Sequence, residues 1–96
     1  MSRLEDLRRL RAEIHSVISR HGATDVCVFG SVVRGEDGPD SDVDLLVDFQ
    51  PGIGLLSHAA LIRELEQLLG CKVDVVSRNG LKSRLRSRVL AEAVSL

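Results

Sequence analysis

Residues 30–47 read GSVVRGEDGPDSDVDLLV, a glycine turn followed by an acidic loop and a run of alternating apolar and acidic side chains. The alternation extends over Asp42–Phe49. Because successive side chains of a strand point to opposite faces, this run predicts a half-buried strand with carboxylates on its other face. Leu46 is the one exception to the alternation.

Shorter signals on either side predict the remaining elements. Apolar residues recur every three or four positions over residues 3–21, which predicts an amphipathic helix that ends at Gly22 and begins with a capping box at Ser2 and Glu5. We further expect strands at Asp25–Phe29 and Lys72–Val76, a short helix at Ser31–Arg34, a loop at 36–41, a helix at Leu55–Leu69 closed by Gly70, a turn at Ser77–Gly80, and a final helix from Leu81 to about Val94.

These elements predict an α/β (α+β) protein with a small mixed β-sheet, helices packed on one face, and a polar opposite face. A helical crossover joins the second and third strands, so we expect those two to be parallel. The 96 residues and 10.5 kDa suffice for one core, and we expect a single domain over residues 1–96. No apolar run approaches the ~18–20 residues of a membrane span and the first residues are charged, so we expect a cytoplasmic protein with no membrane partner.

The formal net charge of −1 is the sum of two segments of opposite sign. Residues 36–48 carry six acidic and no basic side chains, whereas residues 78–88 carry five basic and no acidic ones. Crowded carboxylates repel one another unless a cation lies among them. The near-neutral total argues against nucleic acid as a partner. For the basic segment three interpretations stay open: a solvated helix face, a contact with triphosphate or protein, and binding to RNA or DNA.

Three aspartates are predicted to meet on the polar face. Asp42 and Asp44 lie two residues apart, so their carboxylates share one face and are close enough to share a hard cation. Asp74 lies in the middle of the next apolar strand, where a carboxylate without a partner is costly. Together they would form an oxygen-rich site for one or two Mg²⁺, as in phosphoryl-group chemistry. The alternative is a solvated acidic surface, which we assign to the other acidic residues of the segment.

Other common sites are not supported. An EF-hand counted from Asp40 would place leucine at its turn glycine and proline at its closing glutamate. The chain contains no GxxxxGK[ST] phosphate loop, and its histidines and cysteines lack zinc-ligand spacing. Gly30-Ser31, at a predicted strand end, offers backbone N–H groups and a hydroxyl that together can hold a phosphate.

The spacing of these motifs resembles that of a known family. Gly30-Ser31, ten residues and then Asp42-x-Asp44 fit the GS-x10-DxD signature of the DNA polymerase β-like nucleotidyltransferase superfamily. The chain is similar to the minimal (MNT) branch of that superfamily over its whole length, and three further features strengthen the resemblance: Arg34-Gly35, Ser41 and the later strand aspartate Asp74.

The resemblance implies a polymerase β-like fold and transfer of a nucleoside monophosphate from an NTP to an acceptor hydroxyl, with release of pyrophosphate. It implies that Asp42 and Asp44 bind two Mg²⁺ ions. It further implies that Asp74 is the third catalytic residue, completing the site of the metal that activates the acceptor and serving as general base.

The resemblance also implies a nucleotide-binding role for the turn. Gly30 and Ser31 would hold the β- and γ-phosphates of the substrate ATP. For Arg34 two alternatives stay open, of which we favour the first: pairing with the acidic loop, which would fix the shape of that loop, and direct contact with a phosphate.

The chain is similar to the antitoxin half of HEPN/MNT toxin–antitoxin pairs, in which the nucleotidyltransferase adenylylates a tyrosine of its HEPN ribonuclease partner. With no Trp and no Tyr, the chain cannot be its own tyrosine substrate and has no such ring for stacking a base. We therefore expect a HEPN toxin as partner, in a hetero-oligomer with it or as a homo-oligomer. Two alternatives stay open: an antitoxin that acts by binding alone, and a transferase for small molecules such as aminoglycosides.

Overall fold

The computed structural model describes residues 3–38 and 41–96. The predicted cap at Ser2 and the loop residues Pro39 and Asp40 lie outside them. Within the described residues the helices are α1 (Arg3–Arg9), α2 (Arg11–Arg20), α3 (Ser31–Arg34), α4 (Leu55–Leu69) and α5 (Ser83–Glu92); the strands are β1 (Ala23–Phe29), β2 (Val43–Phe49), β3 (Val73–Ser77) and β4 (Val94–Ser95), with a 3₁₀ turn (Arg78–Gly80) after β3.

The four strands form one mixed sheet in the order β3-β2-β1-β4. β1 is antiparallel to both β2 and β4, whereas β2 and β3 are parallel. The mixed sheet and the parallel pair confirm the predicted fold class. The α4 crossover between β2 and β3 has the predicted bounds and ends at Gly70, whose left-handed backbone (φ 69°) stops the helix.

The main core lies between the sheet and the helices α1, α2 and α4. The alternation of β2 places Val43, Leu45 and Val47 in this core and leaves Asp44 and Asp48 partly exposed. Helix residues that complete the core include Leu7, Ile14, Ile18, Leu61 and Leu65. Within residues 3–38 and 41–96, no helix combines the length and apolarity needed to span a membrane.

Leu46 shows that the opposite face of the sheet is not polar throughout. Its side chain points away from the main core, yet it is 0% exposed. Its register neighbours are Cys27 on β1 and Val76 on β3, so the middle of this face is an apolar strip. Arg78, at the start of the connection from β3 to β4, reaches the Cys27 sulfur at 3.8 Å. The connection therefore crosses this face, and the predicted polar character holds only toward the ends of the strands.

Both terminal helices differ from the prediction. The first is divided at Leu10 into α1 and α2, although i→i−4 hydrogen bonds of 3.1 Å and 2.9 Å continue through that residue. The last helix ends at Glu92, and the prediction that it reaches Val94 is wrong, because Val94–Ser95 pairs with β1 instead. The Leu96 amide donates to the Val26 carbonyl at 3.1 Å. The free edge of β1 thus supplies backbone hydrogen-bond partners for the last residues, and these partners favour a strand over a continuation of α5.

Candidate active site

Asp44 and Asp74 lie side by side at one end of the sheet. They are register partners in the parallel pair of β2 and β3, so their side chains leave the same face on strands ~4.8 Å apart. Asp42 immediately precedes β2 and is exposed. The structure thus brings Asp44 and Asp74 together and places Asp42 at the mouth of the same site.

The electrostatics of this site favour a cation. The pKa of Asp44 is raised above its ordinary value, first by burial and then by the negative charges of Asp74 and Asp42. Glu92 acts in the same direction, and the guanidinium of Arg34 opposes them. An ionised carboxylate held among like charges is stabilised by a bound cation, so the site suits a positive ligand.

The donor set fits Mg²⁺. Among the residues that the structure describes, no three acidic, imidazole or thiol side chains lie close enough together to hold a metal ion by themselves. Mg²⁺ in phosphoryl-transfer sites is held by one or two carboxylates together with water and substrate phosphates, and does not need such a cage. Asp42, Asp44 and Asp74 would hold the ion, because they supply hard oxygen ligands and the repulsion that the ion would relieve.

The Gly30 turn packs directly against Asp44. Gly30 has φ 82° and ψ −151°, a conformation open essentially to glycine alone. A Cβ atom at this position would collide with Oδ2 of Asp44. Since Phe29 is the register partner of Asp44, the Gly30 turn that follows β1 lies next to the Asp44 carboxylate. The glycine is therefore required for both its backbone conformation and its close approach.

Ser31 and Arg34 open and close the short helix α3 that follows this turn. The Ser31 carbonyl accepts a hydrogen bond from the Glu36 amide at 2.9 Å, which draws the acidic loop against the helix. Arg34 Nε donates to Glu36 Oε2 at 3.1 Å, and this hydrogen bond is the first cause of the raised pKa of Arg34. Of the two alternatives for Arg34, the structure shows the pairing with the acidic loop.

Glu92 is a residue of the site that the sequence did not indicate. Its Oε1 accepts hydrogen bonds from Arg34 Nη1 at 2.5 Å and from the Gly30 amide at 3.1 Å. Glu92 reaches the turn because β4 pairs with β1 two residues later and so anchors the end of α5 there. No local sequence motif predicts this contact, because it depends on the pairing of a strand of only two residues.

The basic segment does not form one surface at this site. Arg78 lies over Cys27 on the apolar strip, and its Nε is buried without a hydrogen-bond partner in the described structure. The remaining cations, Lys82, Arg84, Arg86 and Arg88, are exposed. Of the three interpretations of this segment, the exposure agrees with a solvated helix face.

Comparison with known proteins connects this arrangement to a family. The family model described as a nucleotidyltransferase domain matches residues 7–96. The protein adenylyltransferase MntA of Thermococcus cleftensis is 44% identical over 90 residues, which cover 85% of this chain and 91% of that protein. A solved structure described as an inferred minimal nucleotidyltransferase superposes with a TM-score of 0.87 at 55% identity, covering 100% of this chain and 97% of the other.

More distant solved structures share the fold. A toxin–antitoxin structure with AMP-PNP superposes with a TM-score of 0.75 at 20% identity, covering 88% of this chain and 69% of the other. A complex of the tri-AMPylated HEPN toxin of Shewanella oneidensis with its MNT antitoxin gives a TM-score of 0.70 at 17% identity, covering 92% and 69%. At these identities the likeness shows the fold alone.

Proposed function

Because the chain belongs to the nucleotidyltransferase domain family, we propose that it is an Mg²⁺-dependent protein adenylyltransferase that transfers AMP from ATP to a tyrosine of a HEPN toxin and so acts as its antitoxin. The single observation that carries the proposal is the packing of the Gly30 turn on Asp44, with Asp74 beside it. A turn suited to phosphate therefore lies against a carboxylate suited to a metal ion, which supports the proposal. The relation to an MntA protein adenylyltransferase supports a protein as the acceptor, and the fold shared with the MNT antitoxin of a tri-AMPylated HEPN toxin supports a HEPN toxin as that protein.

The roles of the aspartates follow from their positions. Asp42, Asp44 and Asp74 would hold Mg²⁺, which when bound would offset the charge of the triphosphate and lower the pKa of the acceptor hydroxyl. Asp74 extends from the neighbouring strand and accepts the hydroxyl proton. The chain itself therefore supplies positioning and charge, which are the main requirements of phosphoryl-group transfer.

The transfer balances without a further reactant. The acceptor oxygen forms a bond to the α-phosphorus of ATP, the bond from that phosphorus to the bridging oxygen of the β-phosphate breaks, and pyrophosphate leaves with the electron pair. The acceptor proton passes to Asp74. Gly30 and Ser31 hold the β- and γ-phosphates, which orients the leaving group opposite the incoming oxygen.

The acceptor belongs to another protein. The chain has no tyrosine, so a tyrosine hydroxyl must come from the partner. Asp42, at the mouth of the site, is exposed, which leaves the aspartates open to a protein surface. These features support a toxin as the substrate. A protein acceptor, unlike a small molecule, does not need a second lobe of this chain to hold it.

Co-expression with a HEPN toxin of its own genome, followed by intact-mass measurement of that toxin, tests this function. We expect the toxin to gain the mass of one or more adenylyl groups with the wild-type chain and none with Asp44→Asn. Asp48→Asn is the matched control, because Asp48 lies on the same strand and face but away from Asp74. An unmodified toxin beside the wild-type chain contradicts the proposal. Protection that survives Asp44→Asn identifies an antitoxin that acts by binding alone.

A further inference from the structure

Glu92 occupies one donor that the proposed function assigns to the nucleotide, the Gly30 amide, and it also pairs with Arg34 beside that turn. Its Oε1 accepts from the Gly30 amide at 3.1 Å and from Arg34 Nη1 at 2.5 Å. The Glu92 side chain is only 23% exposed. The carboxylate is therefore mostly enclosed against the turn, at the place where the proposed function holds a phosphate.

A carboxylate and a phosphate compete for such donors. Both are anionic, and both accept charge-assisted hydrogen bonds from backbone N–H groups and guanidinium. A triphosphate that takes up the Gly30 amide must displace Glu92 Oε1 or share the donor with a like charge. In either case the negative charge of Glu92 opposes binding of the nucleotide.

Glu92 can leave the turn without disturbing the core. It is the last residue of α5, and no residue of that helix is fully buried. Its contacts with Gly30 and Arg34 are made by the side chain alone, and the pairing of β4 with β1 holds the backbone that follows. The exchange of one anion for another at this turn therefore needs no rearrangement of the sheet.

We propose that Glu92 is a residue of the nucleotide site that sets its affinity for ATP: its carboxylate accepts from the Gly30 amide and Arg34 in the nucleotide-free protein and must release or share the Gly30 amide when the triphosphate binds. The inference rests on the proposed function, which places the triphosphate at this turn. Glu92 thereby disfavours nucleotides in proportion to the charge that they bring to the turn.

Isothermal titration calorimetry with ATP, in the presence and absence of Mg²⁺, tests the role of Glu92. Glu92→Gln keeps the shape of the side chain but replaces a charge-assisted acceptor by a neutral one, so we expect ATP to bind about fivefold tighter or more. AMP lacks the outer phosphates, and its affinity should stay unchanged. Glu36→Gln is the matched control, because Glu36 also pairs with Arg34 but does not contact the Gly30 amide, and it should change ATP affinity much less.

The outcomes separate this inference from the proposed function. If the wild-type chain binds ATP and Glu92→Gln binds it equally or more weakly, the role of Glu92 is overturned while the transferase proposal stands. If none of the three proteins binds ATP, both proposals fail. The Gly30 amide resonance gives a second test that needs no nucleotide: we expect it to shift in Glu92→Gln and not in Glu36→Gln, and an unchanged resonance contradicts the contact itself.

Discussion

Asp44 on β2 and Asp74 on β3 are register partners in the parallel half of the sheet, so two carboxylates face each other across adjacent strands. Burial first, and then the negative charge of Asp74, raises the pKa of Asp44. Such repulsion lowers the stability of the metal-free fold and raises its affinity for a cation. Function and fold stability are therefore opposed at this pair.

Replacing Asp44 should stabilise the metal-free protein. The folded-state pKa of Asp44 lies above its ordinary value of 3.8, so the folded state binds this proton more tightly than the unfolded state does. Stability is therefore lost as the pH rises from 3.8 through the higher folded-state pKa of Asp44. Asp44→Asn avoids that loss, because asparagine does not ionise. We expect Asp44→Asn to raise Tm by a few degrees at pH 7 and to lose this advantage toward pH 3, as followed by circular dichroism.

Mg²⁺ should give the wild-type chain a higher Tm than Asp44→Asn. Millimolar Mg²⁺ is expected to raise Tm of the wild-type chain, because the ion binds only the folded state. Asp44→Asn should respond little, whereas the control Asp48→Asn should keep the wild-type response. A wild-type Tm that does not change on addition of Mg²⁺ would count against metal binding by the aspartates.

Gly30 and Gly35 provide a matched pair of glycines. Both have positive φ, 82° and 73°, but only at Gly30 would a Cβ atom meet the Asp44 carboxylate, since nothing lies within 4 Å of a Cβ at Gly35. Gly35→Ala should cost roughly 1 kcal/mol of stability from backbone strain and leave transfer intact. Gly30→Ala should cost more and abolish transfer, as measured by chemical denaturation and by partner modification. Equal losses in the two variants would contradict the contact.

Leu46 should behave as a core residue although it lies on the same face of the sheet as Asp44 and Asp74. It is 0% exposed, whereas Leu55 is 84% exposed. Leu46→Ala is expected to lower the free energy of unfolding by about 2–4 kcal/mol, and Leu55→Ala by no more than ~0.5 kcal/mol. Urea denaturation measures both. A small cost at Leu46 would mean that the connection from β3 to β4 does not cover this face.

Glu64 should make stability depend on acidic pH. Hydrogen bonding to His21, with the nearby Arg20, lowers the pKa of Glu64 below its ordinary value of 4.5. The stabilisation is therefore present above pH 4.5 and is lost as the pH falls through the lower folded-state pKa. We expect Glu64→Gln to lower Tm at pH 7 and to match the wild type near pH 3. A constant difference in Tm across this range would exclude the ion pair as its cause.

Most of the fold follows from local rules in the sequence. The bounds of α4 were predictable because glycines flank an amphipathic run, and Gly70 has the left-handed conformation expected after a helix. The parallel pairing of β2 with β3 follows from the crossover rule. The facing of Asp44 and Asp74 then follows from strand alternation and register.

The features that escaped prediction depend on contacts between distant segments. Val94–Ser95 is compatible with a helix or a strand, and the free edge of β1 selects the strand. That pairing brings Glu92 to Gly30, so missing the strand β4 also meant missing the contact of Glu92 with the site. Leu46 is apolar on the face of the acidic side chains for a similar reason, because the connection from β3 to β4 covers it.

The most direct test of the proposed function is to follow label from ATP onto the purified HEPN partner. With the wild-type chain, ATP and Mg²⁺, we predict that label in the α-phosphate appears on the partner and that label in the γ-phosphate does not. Asp44→Asn should abolish the transfer, and a partner whose acceptor tyrosine is changed to phenylalanine should remain unlabelled. Transfer of the γ-phosphate, or no transfer of either label by the wild-type chain, would contradict adenylyl transfer.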